Sequence, residues 1–169
     1  ATNDGVYRLS PTTPGAALKA TRLQGIDSNR VPRLLRVDTI LYVGTFADGL
    51  YAVDLDTDKV RRIPLPIDWL PVYSLLETPE GNVLVGQDGA GIYTIDPSDG
   101  RVLGHLDERS TPCISANTVK DICLDRDGGL WVLLFRDGTL VRLDPSDGYK
   151  SLKVDVVKAT GGWPTLICA

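Results

Sequence analysis

One histidine is the residue of this sequence best suited to acid–base chemistry. His105 is the only histidine, and it lies in the short alternating segment 102–106, which predicts a β-strand. Acid–base catalysis needs a partner group and a pocket besides the imidazole. We predict that this strand is a peripheral one, so His105 is interpreted as a surface residue and no catalytic residue is predicted.

Two acidic turns, at 125–128 and 144–148, superficially resemble calcium loops. A calcium loop needs alternating oxygen ligands and usually a closing bidentate Glu, and neither turn continues in that way. Asp and Gly are also typical turn residues, because they cap the turn and tolerate a positive φ. The three cysteines lack the spacing of a metal site. We therefore predict no metal and no cofactor.

The elements that must position any site are short strands that recur along the chain. Segments 40–54, 82–96 and 129–144 each contain an apolar strand, a polar turn and a second strand that ends in Asp. The terminal residues Asp54, Asp96 and Asp144 are 42 and 48 residues apart. A period of 40–50 residues made of strands and turns is the signature of β-propeller blades.

This repeat predicts an all-β fold, a β-propeller fragment with about three complete four-stranded antiparallel blades. Strands that are apolar on both faces suit sheets packed face to face, and a polar fourth strand suits an outer edge. In the third blade this outer strand is predicted at 149–153. Residues 1–169 are thus taken as one propeller fragment, divided into a partial blade at 1–24, full blades at 30–66, 71–107 and 117–157, and the start of a further blade at 164–169.

Composition excludes several partners. The net charge is −4, and nothing resembles the basic face of a nucleic-acid-binding protein. No apolar run approaches the roughly 18 residues of a membrane span, so no membrane contact is expected. No signal peptide opens the chain. An unclosed propeller would expose an apolar blade face at each end, which predicts self-association.

Residues 115–132, with Asn117, Asp125 and the Gly-Leu-Trp-Val at 129–132, resemble a known repeat. It is the repeat of periplasmic sensor propellers in hybrid two-component systems of gut Bacteroides, the two-component regulator propeller family. Trp131 is replaced by Tyr42 and Leu84 in the other blades. The resemblance implies a periplasmic, non-catalytic sensor module that detects oligosaccharides and signals to a histidine kinase. It also implies that the parent sensor could dimerise.

Recognition is expected on the face where the loops from the fourth to the first strands and from the second to the third strands gather, because loops on a rigid scaffold carry function. An aromatic ring flanked by polar groups suits a sugar: the ring supplies a platform and the polar groups bond hydroxyls. The alternative for the two tryptophans in these loops is that they plug gaps between blades. The predicted ligand-binding residues are Trp69, Trp163, Phe46, Asp48, Gln87, Asp88, Phe135 and Arg136.

Two other classes of function stay open. A propeller lyase or lactonase would need clustered His, Glu or metal-ligating residues near the axis, and one peripheral histidine does not meet that need. A protein-interaction scaffold is the third class. The leading prediction is a ligand-sensing module for an oligosaccharide or another small ligand.

Overall fold

The computed structural model describes residues 1–13, 17–28, 30–111, 114, 116–135, 138–149 and 157–158. These residues form short β-strands, with a single-turn 3₁₀ helix at Pro145–Asp147. The strands are β1 Tyr7–Pro11, β2 Leu18–Arg22, β3 Arg33–Val37, β4 Ile40–Gly44, β5 Leu50–Asp54, β6 Val60–Ile63, β7 Val72–Glu77, β8 Val83–Gln87, β9 Gly91–Ile95, β10 Val102–Leu106, β11 Val119–Leu124, β12 Leu130–Leu134, β13 Thr139–Leu143 and β14 Val157–Lys158.

Consecutive strands pair in antiparallel fashion into separate sheets. Strands β3–β6, β7–β10 and β11–β14 form three four-stranded sheets, here called the first, second and third sheets, and β1 and β2 form a two-stranded hairpin ahead of them. Strands β3–β6, β7–β10 and β11–β13 are joined in sequence by short connections, so strands that are consecutive in the chain pair in space. The predicted all-β fold with four-stranded antiparallel blades is confirmed.

The core lies between the sheets rather than within one. One apolar cluster joins the β1–β2 hairpin to the first sheet, through Val6, Val43 and Tyr51. The first and second sheets meet in a cluster that includes Tyr42 and Ile95. The second and third sheets meet in a further cluster. Central strands are therefore apolar on both faces, and each fully buried Val, Leu or Ile contributes about 1.5–3 kcal/mol.

The aspartate that ends each third strand organises the turn that follows it. The Asp54 carboxylate accepts hydrogen bonds from the amides of Asp56 and Thr57, both at 2.9 Å. Asp96 accepts the amide of Ser98 at 2.9 Å. These backbone donors hold the pKa of Asp54 below its usual range. The repeated aspartates thus act as turn residues, as predicted from the sequence.

The third sheet differs from the prediction at its outer edge. Tyr149, where the sequence predicts the start of the fourth strand, has a φ of 69° and lies just after the 3₁₀ turn. A left-handed residue cannot lie inside a regular strand, so the predicted start at Tyr149 is wrong. Val157 and Lys158 pair instead with β13. Residues 150–156, and the predicted further blade at 164–169, lie outside the described residues.

Among the residues that the structure describes, no helix has the length and apolar character that a bilayer crossing requires.

Candidate ligand-binding site

The three four-stranded sheets begin their first strands with the same backbone contact. The amide of a residue just after the second strand donates to the carbonyl of a residue just before the first strand. This contact pins the loop between strands two and three beside the loop that enters the sheet. The pairs are Phe46 to Arg30 (3.0 Å), Asp88 to Pro71 (2.9 Å) and Phe135 to Thr118 (3.0 Å).

Two residues beyond that carbonyl, two of the sheets contain a β-bulge. The extra residue is Tyr73 in β7 and Lys120 in β11. A bulge removes its residue from the ladder of paired residues and re-aims its side chain. Pro32 holds the same position ahead of β3. Tyr73, Lys120 and Pro32 all line one pocket, so the repeat brings equivalent positions of three sheets to a single place.

This pocket has a volume of about 210 Å³. Pockets for drug-sized ligands have volumes of roughly 300–1,000 Å³, so this one suits a single small ring. Its lining residues come from the first sheet and its entry loop, from the inner strands of the second and third sheets, and from the N-terminal segment. The lining residues are Asn3, Arg30, Val31, Pro32, Phe46, Tyr73 and Lys120.

Two cations and three aromatic rings form a chain of contacts at the pocket. The Arg30 guanidinium lies 3.7 Å from the centroid of the Phe46 ring. The Phe46 and Tyr73 rings meet edge to face, with centroids 6.2 Å apart. The Lys120 ammonium lies 3.9 Å from the Tyr73 centroid and 5.4 Å from that of Phe135. A cation within about 6 Å of a ring face is attracted by its quadrupole, so these contacts hold both cations in place.

Of the residues that follow the three equivalent positions, Arg33 and Asp121 tie the sheets together. Arg33 of the first sheet donates from Nη2 to the Asp121 carboxylate of the third sheet at 2.7 Å. Its Nε donates to the carbonyl oxygen of Tyr73 in the second sheet at 3.1 Å. One side chain therefore bridges three sheets. Ser74, the equivalent residue of the second sheet, has a buried hydroxyl without a hydrogen-bond partner in the described part of the chain.

Tyr73 presents a neutral phenol to the pocket. Burial, the charge of Asp88 and a hydrogen bond to Asp88 all raise the pKa of Tyr73, and the charge of Arg30 opposes them. The Tyr73 hydroxyl lies 3.5 Å from Asp88 Oδ2, near the limit of a hydrogen bond.

The predicted ligand-binding residues divide between the pocket and its surroundings. Phe46 lines the pocket, while Asp88 and Phe135 contact its Tyr73 and Lys120. Asp48 is elsewhere engaged: it accepts the Tyr51 hydroxyl and pairs with Arg62 at 3.0 Å. Burial, followed by this hydrogen bond, raises the pKa of Tyr51 to about 12. Trp163 and Arg136 lie outside the described residues.

Gln87 supports a loop and is fully buried. Its amide nitrogen donates to the carbonyl oxygens of Ile67 (3.1 Å) and Leu70 (3.2 Å). These bonds fix the loop at 64–71, which carries Trp69. The Trp69 ring is 66% exposed, so it does not plug a gap between sheets, and it is absent from the pocket lining.

The residues that sequence reasoning assigned to structure have structural contacts. His105 lies on the outer strand β10, stacked on Tyr93 at 4.2 Å. Trp131 donates from Nε1 to Asp125 Oδ2 at 3.1 Å, so the acidic turn receives protein donors. Within the described residues, no cluster of three or more His, Cys, Asp or Glu residues could hold a metal ion.

Sequence reasoning missed Asn3, Arg30, Tyr73 and Lys120. A signal existed for the bulge residues. The sequences Val31-Pro32-Arg33, Val72-Tyr73-Ser74 and Val119-Lys120-Asp121 occupy equivalent repeat positions, each with a variable residue after the valine. A variable residue at the entry of an otherwise apolar strand marks a place where the side chain faces something other than the core.

Three four-stranded antiparallel sheets, stacked through interior apolar clusters with their entry loops on one face, define the β-propeller class. Residues 113–135 match the model of the two component regulator propeller family. The resemblance predicted from the sequence is therefore confirmed over this segment. No curated protein matches the chain.

Solved structures share the fold over most of the chain. Two are extracellular domains of hybrid two component systems from B. thetaiotaomicron. One is 23% identical and covers 80% of this chain and 18% of its own, with a TM-score of 0.69. The other is 16% identical and covers 94% and 23%, with a TM-score of 0.71. The chain thus spans about a fifth of the length of these domains.

A propeller enzyme also shares the fold. A catalytically inactive virginiamycin B lyase from Staphylococcus aureus, solved with quinupristin, is 16% identical and covers 90% of this chain and 47% of its own, with a TM-score of 0.62. Identities of this size establish a common architecture, and function must be argued from the site.

Proposed function

We propose that the chain is a non-catalytic ligand-sensing module of a two-component sensor, and that it binds an oligosaccharide through the pocket at Tyr73. The observation that carries the proposal is the meeting of three equivalent repeat positions, Pro32, Tyr73 and Lys120, around one cavity with aromatic walls. The match of residues 113–135 to the regulator propeller family supports a sensing role.

The chemistry of the pocket suits a sugar ring. Phe46 and Tyr73 offer apolar ring surface, on which the C–H face of a sugar can rest. Asn3, Arg30 and the Tyr73 hydroxyl offer hydrogen-bond donors at the same cavity. The cavity holds one ring, so the remainder of an oligosaccharide would extend over the loop face.

A ligand here would act by shifting a population of conformations. It would contact the first sheet through Phe46, the second through Tyr73 and the third through Lys120. A ligand that binds one arrangement of these sheets more tightly than another favours that arrangement by its differential affinity. The ion pair between Arg33 and Asp121 lies one residue beyond the bulge positions and connects the same sheets. A change in the arrangement of the sheets would therefore alter this ion pair.

The wider setting is part of the same proposal. The related domains are extracellular parts of hybrid two component systems, which supports a periplasmic position. As part of the same proposal, a histidine kinase receives the signal and the parent sensor dimerises. Since the chain spans about a fifth of those domains, further domains would complete the sensor.

An enzyme is the second candidate, because lyase propellers share the fold. The lining of the pocket contains neither histidine nor carboxylate. His105 is stacked on Tyr93 at the sheet edge instead. A hydrolytic or lyase reaction on this face would lack a histidine base in the pocket, which favours binding over catalysis.

Calorimetric titration of the 169-residue chain with a panel of plant and host oligosaccharides tests the proposal. We expect at least one glycan to bind. Tyr73→Ala should abolish the heat of binding, while Trp69→Ala, which removes an exposed ring outside the pocket, should leave it. Melting temperatures of both variants establish that they are folded. Binding that survives Tyr73→Ala but is lost in Trp69→Ala would contradict the site.

A further inference from the structure

The pocket at Tyr73 carries two cations and no anion among its lining residues. Arg30 and Lys120 are its charged residues. Each is held against a ring, Arg30 on Phe46 and Lys120 on Tyr73. Neither side chain forms an ion pair within the part of the chain that the structure describes. The described lining of this cavity thus carries two positive charges and no negative one, in a chain of net charge −4.

The neighbouring carboxylates contact protein groups and do not line the cavity. Asp121 pairs with Arg33 at 2.7 Å. Asp88 lies 3.5 Å from the Tyr73 hydroxyl and is absent from the pocket lining. Among the lining residues no carboxylate faces Arg30 or Lys120, so an anionic occupant would add the opposite charge at this cavity. A partly enclosed site strengthens such a charge interaction relative to water.

Resting on the proposed function, we propose that the pocket selects a small ring bearing one anionic group, of the class of a hexuronic acid residue. The ring would lie on Phe46 and Tyr73, and its carboxylate would be shared by Arg30 and Lys120. The volume of about 210 Å³ limits the occupant to a single ring. Guanidinium and ammonium donors form charge-assisted bonds to a carboxylate that a neutral hydroxymethyl group cannot match.

Paired ligands that differ only in charge test this selection. The chain is titrated by calorimetry with galacturonate and galactose, and with glucuronate and glucose. One charge-assisted hydrogen bond contributes about 1.5–3 kcal/mol, so each uronate should bind about 10–100-fold more tightly than its neutral partner. The preference should shrink as the salt concentration rises, because exposed parts of the site are screened.

Variants assign the preference to the two cations. Lys120→Met and Arg30→Met should each reduce the preference for uronate over the neutral sugar about tenfold or more, because each variant loses a charge-assisted bond that only the uronate forms. Lys19→Met is the matched control, because Lys19 is an exposed cation on β2, remote from the pocket lining. It should preserve the preference. All three variants should melt near the temperature of the unsubstituted protein.

The outcomes separate the anion site from the sugar-binding role. Equal affinities for uronate and neutral sugar would overturn the anion site and leave the oligosaccharide sensor intact. Cyclohexanecarboxylate binding as tightly as galacturonate would support the anion site and contradict the oligosaccharide role. Absence of binding for every ligand would overturn both. A preference that survives Lys120→Met and Arg30→Met together would also overturn the anion site.

Discussion

At the scale of single residues, β-bulges place Tyr73 and Lys120 in the lining of the pocket on the propeller face. In a regularly paired strand, successive side chains point to opposite faces of the sheet. The valines that precede these two residues are buried. The extra residue frees them to reach the pocket without disturbing the packing on either side. Recognition residues can therefore vary at this position while the apolar sheet interfaces remain constant.

Asp125 is the residue whose ionisation we expect to matter most for stability. Its carboxylate accepts hydrogen bonds from Arg142, the amide of Gly129 and the indole of Trp131. The Arg142 guanidinium, followed by these donors, holds the pKa of Asp125 well below its usual range. The unfolded chain, with an Asp pKa of about 3.9, binds the proton first as the pH falls. The stabilising contribution is thus present above about pH 4 and declines below it.

Asp125→Asn should therefore destabilise the protein at pH 7 and progressively less below about pH 4. Denaturant unfolding of both proteins at pH 7, 5, 4 and 3 measures the difference in the free energy of unfolding. Asp56→Asn is the control, because it removes an exposed turn carboxylate, and we expect little effect at any pH. A difference for Asp125→Asn that stays constant down to pH 3 would contradict the assignment.

Two features require glycine at position 91: a positive φ and the lack of room for a Cβ. Gly91 has a φ of 78°, and a Cβ there would overlap the carbonyl oxygen of Leu106. Gly89 has a φ of 88° but open space around it. Gly91→Ala should cost about 1–3 kcal/mol beyond the cost of Gly89→Ala, as measured by denaturant unfolding. Equal losses in the two variants would show that backbone conformation alone explains the glycine.

At the scale of elements, the Arg33 to Asp121 bridge connects strands that are far apart in the chain. Asp121 has a side chain that is 4% exposed, so it depends on protein partners for its charge. Removing Arg33 leaves that carboxylate with one donor fewer in a largely dry position. The same guanidinium holds the carbonyl of Tyr73, so the bridge also positions the bulge that lines the pocket.

Arg33→Gln should destabilise the protein by roughly 1.5–3 kcal/mol. In the double variant Arg33→Gln/Asp121→Asn, part of this loss in stability should be recovered. The neutral asparagine at position 121 has no buried charge that must be paired with a cation. A double-mutant cycle by chemical denaturation gives the coupling. Strictly additive losses would show that the two residues contribute independently.

Strands and turns could be predicted from the sequence because their signals are local. Alternating apolar segments and the aspartates at 54, 96 and 144 placed the sheets and their turns. The bulges could not be predicted, since a one-residue register shift depends on pairing with the neighbouring strand. Phe46, selected from its loop position, lines the pocket. Lys120 was missed because its place beside the Tyr73 ring arises only when two sheets stack.

The orientation of the loop tryptophan could not be predicted from the sequence. Trp69 was assigned to the ligand-binding face, with a plug between blades as the alternative. The amide of Gln87 instead binds the backbone on both sides of that loop position, and the ring lies exposed. Whether an aromatic loop residue turns inward depends on such buried contacts, which composition does not reveal.

At the scale of the whole molecule, the outer face of the β1–β2 hairpin is apolar and uncovered. Leu9 and Leu18 are 59% and 60% exposed there. The predicted self-association through an open blade face applies to this surface. Sedimentation over a range of concentrations should show a dimer that Leu9→Ser/Leu18→Ser weakens and that Leu103→Ser, on the outer strand β10, leaves intact. A monomer at all concentrations would contradict it.

The location of ligand binding tests the central claim most directly. Backbone amide chemical shifts of the ¹⁵N-labelled chain, followed during titration with an acidic oligosaccharide, map the contacts residue by residue. The pocket predicts that the largest changes occur at Arg30, Phe46, Tyr73 and Lys120, on three different sheets. Changes confined to the loop of Trp69 or to the edge at His105, with the pocket residues unmoved, would contradict the account.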